Sequence, residues 1–74
     1  MSAIIASETE IRARNILNAS PIPELRNLTI EEAAGTLCVS GTLSNYYHKQ
    51  LAQETLRRIC REAKIALKNL THVQ

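Results

Sequence analysis

Residues 28–43 restrict the fold more than any other stretch, because they carry period-two alternation on both sides of Gly35. Leu37, Val39, Gly41 and Leu43 alternate with Thr36, Cys38, Ser40 and Thr42, which places an apolar row on one strand face and small polar groups on the other. Ahead of them, Leu28 and Ile30 share one face while Thr29 and Glu31 share the other. Gly35 can adopt the positive φ that a tight hairpin demands, so Ala34-Gly35 is the expected turn centre. Gly41 sits inside a strand, where glycine weakens the element. Its presence predicts a bulge or the close approach of another backbone, here that of a packed helix.

Helices are expected on both sides of this hairpin. Residues 1–6 read as a flexible lead-in, and 7–74 as one domain. Ser7 opens a helix, with Glu10 three residues on to complete a reciprocal capping box. Glu8–Arg12 and Glu10–Arg14 are spaced as i,i+4 pairs, and Ile11, Ala13, Ile16, Leu17 and Ser20 form its expected packed face. Pro21 and Pro23 end that helix, leaving 21–24 as a connection. After the hairpin, Ser44-Asn45 supplies a second cap for a helix over 46–63. Leu51, Ala52, Thr55, Leu56, Ile59, Cys60 and Ala63 make one apolar stripe along it. Residues 64–73 close the chain as a strand with Ile65, Leu67, Asn69, Thr71 and Val73 on one face. Leu70 breaks that alternation, which admits a bulge or a register shift.

The order α-β-β-α-β defines an α+β class, a three-stranded mixed sheet with two helices packed on one face. The hairpin makes the first two strands antiparallel, and the β-α-β crossover makes the second and third parallel. The place of the first strand in the sheet is left open by the sequence. The opposite face, with Thr36, Cys38, Ser40 and Thr42, is polar enough to be wetted or to serve as a shallow docking surface.

Seventy-four residues allow one small core, and with two tyrosines as the only aromatics that core must be Leu, Ile, Val and Ala. A net charge of +2 is too small to specify a nucleic-acid or membrane partner by itself. Cys38 in a strand and Cys60 late in a helix read as two free thiols rather than a bridge. No run approaches the roughly 18 apolar residues of a membrane span. Residues 1–5 lack the basic and long apolar segments of an export leader, so the chain reads as soluble, and as cytoplasmic unless it is a fragment of an exported protein.

Catalytic chemistry finds no constellation. The cysteines have no base partner at a motif spacing, all seven acidic residues are Glu, and Ser40 and Ser44 stand outside any nucleophile motif. His48 and His72 with the cysteines lack the close ligand pairs of a zinc site, and two glycines cannot build a phosphate-cradling loop. No cofactor is expected. Nucleic acid is disfavoured too, since a Gly-x-x-Gly loop and base-stacking sheet aromatics are both missing, leaving phosphate contacts through Arg57 and Arg61. What stands out is a basic stripe on the long helix: Lys49, Gln53, Arg57, Arg61 and Lys64 follow near-helical spacing, with Lys68 beyond and Glu54 and Glu62 diluting it. It is either a solvated outer face or a surface for anions. Tyr46 and Tyr47 stand at its mouth, one expected to plug the sheet end and the other to be exposed.

Gly35, Leu37, Val39, Ser40, Gly41, Thr42 and Leu43, followed by a polar helix start and a Leu/Ala helix, resemble the BON domain (bacterial OsmY and nodulation). Leu67, Asn69 and Val73 match that family's final strand, with Thr71 where an apolar residue is usual, and the resemblance spans residues 10–73. It implies a non-enzymatic module that associates with phospholipid surfaces or envelope components, often joined to other domains and often exported. The binding residues it points to here are Tyr46, Lys49, Arg57, Arg61 and Lys64, with Gly35 and Gly41 structural. The rival class is a protein-interaction or self-assembling module acting through a sheet edge or through the Thr36–Thr42 face, since three strands leave edges for a partner to cover.

Overall fold

The computed structural model describes residues 7–74; the lead-in at 1–6 lies outside them. The elements are α1 (Glu8–Asn18), α2 (Pro23–Arg26), β1 (Thr29–Ala33), β2 (Thr36–Leu43), α3 (Tyr46–Ala63) and β3 (Ala66–Val73). The class is α+β, with a three-stranded mixed sheet of order β1-β2-β3. β1 pairs antiparallel with β2, Ile30 opposite Val39, while β2 runs parallel to β3, Val39 opposite Asn69. The most apolar strand is therefore the central one. Both outer strands are edges.

The turn is tighter than the glycine alone requires. Ala33 pairs with Thr36, so Ala34 and Gly35 form a two-residue loop, and both have positive φ, 52° and 76°. Gly35 then offers its carbonyl to the Ala66 N–H at 3.0 Å, so the hairpin tip starts the β3 ladder.

The core is one layer between helices and sheet: Ala13, Leu17, Leu25, Ile30, Leu37, Val39, Leu43, Ala52, Leu56, Ile59 and Cys60 are buried. The stripe on α3 and the apolar row of β2 meet there as their periods require. On α1 only Ala13 and Leu17 are buried, whereas Ile11 and Ile16 are exposed, because the helix rests on the sheet margin and offers a narrow contact line. The span after Pro21 is not a plain connection. Pro23 stands at the start of the short helix α2, where its missing N–H costs nothing, and Leu25 from that turn enters the core.

Two further expectations are corrected. Gly41 is favoured by its φ of +141°, which side chains rarely adopt, and its close neighbour is Leu28 rather than a helix: a Cβ there would lie 2.7 Å from the Leu28 Cδ2 atom, the movable tip of that side chain. β3 starts at Ala66, and its pairing with β2 is unbroken from Ala66 to Val73, so Leu70 causes neither bulge nor slip. It points to the open face and is exposed.

Candidate functional site: the α3–β3 groove

Backbone parity decides which groups each edge strand shows to solvent. Ala66 and Gln74 donate their N–H groups to Gly35 and Leu43, so the even residues of β3 face β2 and the odd ones face outward. The odd side chains Leu67, Asn69 and Thr71 turn toward the helix layer, and the even ones, Ala66, Lys68, Leu70 and His72, lie on the open face.

Each edge has a helix beside it. On the β1 side, Glu10 accepts the Glu32 N–H at 3.0 Å and Arg14 donates to the Ile30 carbonyl at 3.0 Å, so α1 bonds one outward N–H and one outward carbonyl of that strand. Ser7, the N-cap of α1, accepts the Glu10 N–H at 3.0 Å and donates its hydroxyl to the Glu32 carboxylate. The expected capping box is thus half formed: Glu10 reaches into the sheet edge instead of back to Ser7. Glu10–Arg14 is an ion pair (3.3 Å), whereas Arg12 pairs with Glu62 of α3 at 2.7 Å rather than with Glu8. The Arg12 guanidinium, by hydrogen bond and charge, holds the Glu62 carboxyl below its ordinary range.

On the β3 side the same device is only half used. Lys49 donates to the Thr71 carbonyl at 2.8 Å, and Gln53 accepts from the Asn69 amide at 3.3 Å. Asn69 Oδ1 in turn accepts from the Thr71 N–H (3.0 Å) and hydroxyl (2.6 Å), so the buried Thr71 has every polar group satisfied. One turn of helix, about 6 Å, matches two residues of strand, about 6.6 Å. The register Lys49–Thr71, Gln53–Asn69 therefore continues to Arg57 beside Leu67 and Arg61 beside Ile65. Here the helix stops serving the strand. A groove of about 520 Å³ opens, lined by Gln53, Arg57, Cys60, Arg61, Ile65, Leu67 and Asn69. Among the described residues, no carboxylate pairs with Arg57 or Arg61, and no hydrogen bond occupies the outward backbone groups of Leu67 or Asn69.

The basic stripe is thus divided. Arg57 and Arg61 form the exposed wall of the groove. Lys49 is a strand clamp, which withdraws it from solvent-facing chemistry. Lys64 caps α3 in the left-handed conformation (φ 60°), its N–H returning to the Arg61 carbonyl at 3.3 Å, and it does not line the groove. Arg58 is exposed beside Arg57 and Arg61 but does not line the groove, and it does not pair with Glu54 among the described residues. Tyr46 and Tyr47 are both exposed, at 63% and 64%, so neither plugs the sheet end; Tyr46 borders a smaller depression with Lys49, Gln50 and Arg57.

A second polar cluster was not legible from the sequence, because α2 was not. Ser44 donates to Glu24 Oε1 at 3.0 Å, and His48 Nδ1 lies 2.6 Å from the same oxygen. Both bonds end on one carboxylate oxygen, and no bond joins His48 to Ser44, so the hydroxyl gains no base. The cluster ties α2 to the start of α3. His48 and then Ser44 hold the Glu24 carboxyl below its ordinary range.

The cysteines lie on opposite faces of the sheet layer: Cys38 half-buried on the open face, Cys60 buried under the groove, both free thiols. Burial, and then the Glu32 carboxylate, push the Cys60 thiol up. Among the described residues no three metal-ligating side chains cluster, and no helix is long and apolar enough to cross a membrane.

No family model matches this chain, and no curated protein or solved structure matches it either. What the fold and the site define together is an α+β domain with one sheet edge braced by α1 and one edge that opens into a basic groove.

Proposed function

We propose that this domain is a non-enzymatic protein-interaction module that receives an extended segment of a partner along the outer edge of β3, beneath α3. The observation that carries this reading is the asymmetry of the edges. Glu10 and Arg14 bond two of the outward groups of β1, the Glu32 N–H and the Ile30 carbonyl, while the outward groups of Leu67 and Asn69 on β3 face a groove. An edge strand with free outward N–H and C=O groups is a template for a further strand, and main-chain pairing supplies the affinity. A second reading rests on Arg57, Arg58 and Arg61, exposed together on α3, and on the BON-like motif: the helix adheres to anionic phospholipid.

Amide hydrogen exchange separates the two. Peptides selected from a random display library on the immobilised domain should slow exchange at Leu67 and Asn69. Selected binders that leave both amides exchanging as in the free protein would remove the strand-addition reading. Vesicles of phosphatidylglycerol, with phosphatidylcholine as control, test the lipid reading. Adhesion there should vanish at high salt and leave the edge amides unprotected. Protection of Leu67 and Asn69 that grows with protein concentration alone would make the partner a second copy.

A further inference from the structure

We propose that the segment taken by the α3–β3 groove is acidic, with carboxylates at alternating positions, one facing Arg57 and the next facing Arg61. The inference rests on the strand-addition reading and adds the chemistry of the occupant. A strand laid beside β3 sends every second side chain toward the helix layer, at a repeat of about 6.6–6.8 Å. Arg57 and Arg61 are one helical turn apart, about 6 Å along α3. The two repeats agree along this particular edge, because the hydrogen bonds Lys49–Thr71 and Gln53–Asn69 already show α3 and β3 running in that register.

Charge points the same way. The groove lining holds two guanidinium groups and no carboxylate, and its other polar members are the amides of Gln53 and Asn69. Glu62, the nearest acidic neighbour of Arg61 in sequence, is engaged with Arg12 on another side of α3. A guanidinium offers paired N–H donors that match a carboxylate in a bidentate fork, and such bonds are among the strong ones. Beneath the arginines, Cys60, Ile65 and Leu67 make an apolar floor, which suits the methylenes of glutamate side chains. On the open face Lys68 follows Leu67, so a residue next to the one facing Arg57, on the side away from Arg61, also meets a cation.

The test uses the whole chain and three capped eight-residue peptides of β-forming composition. One carries Glu at two alternating central positions, one carries Gln there, and one has the same two Glu residues moved three apart. NMR titration gives affinity, and amide exchange at Leu67 and Asn69 reports strand addition. The alternating-Glu peptide should protect both amides and bind on the order of tenfold more tightly than the Gln peptide or the respaced one. Arg57→Gln with Arg61→Gln should erase that preference. Arg58→Gln removes the same kind of charge outside the groove and should leave it intact. N-methylation of the peptide on its β3-facing amides should abolish protection. Equal affinity of the Glu and Gln peptides, with the amides protected, would overturn the acidic occupant while leaving strand addition standing. Peptides that never protect the amides would overturn both. Phosphatidylglycerol vesicles that bind with equal dependence on Arg57, Arg58 and Arg61, where no peptide binds, would assign the arginines to a lipid surface and overturn the proposal.

Discussion

Ala34 holds the hairpin tip in a conformation that its own side chain opposes. Its φ of 52° lies in the left-handed region, next to Gly35 at 76°. For an L-residue with a Cβ that region costs about 1–2 kcal/mol. Ala34 is exposed, so a change there disturbs no packing. Asparagine tolerates the conformation better than alanine and adds no backbone freedom to the unfolded chain, so Ala34→Asn should stabilise the domain by about 0.5–1 kcal/mol. Ala34→Gly removes the same strain but raises unfolded-state entropy by about 0.4–1 kcal/mol, leaving a gain close to zero. Ala34→Val, branched at Cβ, should destabilise. For a domain of this size 1 kcal/mol moves the melting temperature by about 4–8 °C, so circular dichroism melts resolve the series. The order expected is Asn, then Gly with Ala, then Val. A variant Ala34→Asn that melts at or below the parent would refute a left-handed Ala34. Because Gly35 accepts the Ala66 N–H, the Asn variant should also slow exchange at Ala66, coupling the turn to the start of β3.

The two glycines should separate in the same melts. Gly35→Ala meets open space and should cost about 1 kcal/mol, for conformation alone. Gly41→Ala meets a φ that side chains rarely adopt, with the Leu28 Cδ2 methyl free to move aside from the new Cβ, and should cost about 1–3 kcal/mol. A smaller penalty at Gly41 than at Gly35 would refute the assignment. Glu24 and Glu62 have folded-state carboxyls held down by His48 and Arg12, so their contribution is present above the unfolded carboxylate value, near about 4.3, and disappears as pH falls through the lower folded one. Chemical denaturation from pH 7 to 3 should accordingly show Glu24→Gln less stable than the parent at neutral pH and level with it at the acid end; a constant gap would contradict the linkage. Cys60 is buried with its thiol pushed up, while Cys38 is half-buried on the open face, so iodoacetamide should modify Cys38 first in the native protein, as peptide mass mapping would show. Faster modification of Cys60 would contradict the closed floor of the groove.

The parts of the fold legible in the sequence are those set by period. The 46–63 stripe and the alternation around Gly35 led to α3 and the hairpin, because each repeats a spacing over several turns or pleats. Short or tertiary features escaped. α2 is four residues long, below any periodic signal, and Ile11 and Ile16 look like core until the helix is seen to sit on a sheet margin. Ser7, Glu10 and Arg14 read as helix-internal partners, yet their bonds reach Glu32 and Ile30, more than fifteen residues away. The candidate site shows the same limit. Spacing alone aligned Lys49, Arg57 and Arg61 as equals, and only the position of β3 reveals that one is a clamp and two face a groove.

The open sheet face and the open edge make different demands on a partner, and the edge makes the stronger one. On the face, Glu31, Cys38 and Lys68 lie in one row across the sheet, with Thr29, Ser40 and Leu70 in the next. Charged and hydroxyl side chains there exchange bonds with water at little loss, so that face is stable when wet. Outward peptide groups on a flat edge are also solvated when free, but they are directional and evenly repeated, so they select a strand over any other shape. The chain spends Glu10 and Arg14 on peptide groups of one such edge. On the other it closes Thr71 with Lys49 and Asn69 and then, from Asn69 back to Ile65, sets two arginines, unpaired among the described residues, above an apolar floor. A purely protective design would continue the clamp down the helix with another Lys or Gln reaching the strand. Replacing Arg57 by a residue that could do so, as in Arg57→Gln, should therefore leave the fold intact and reduce only what the groove receives.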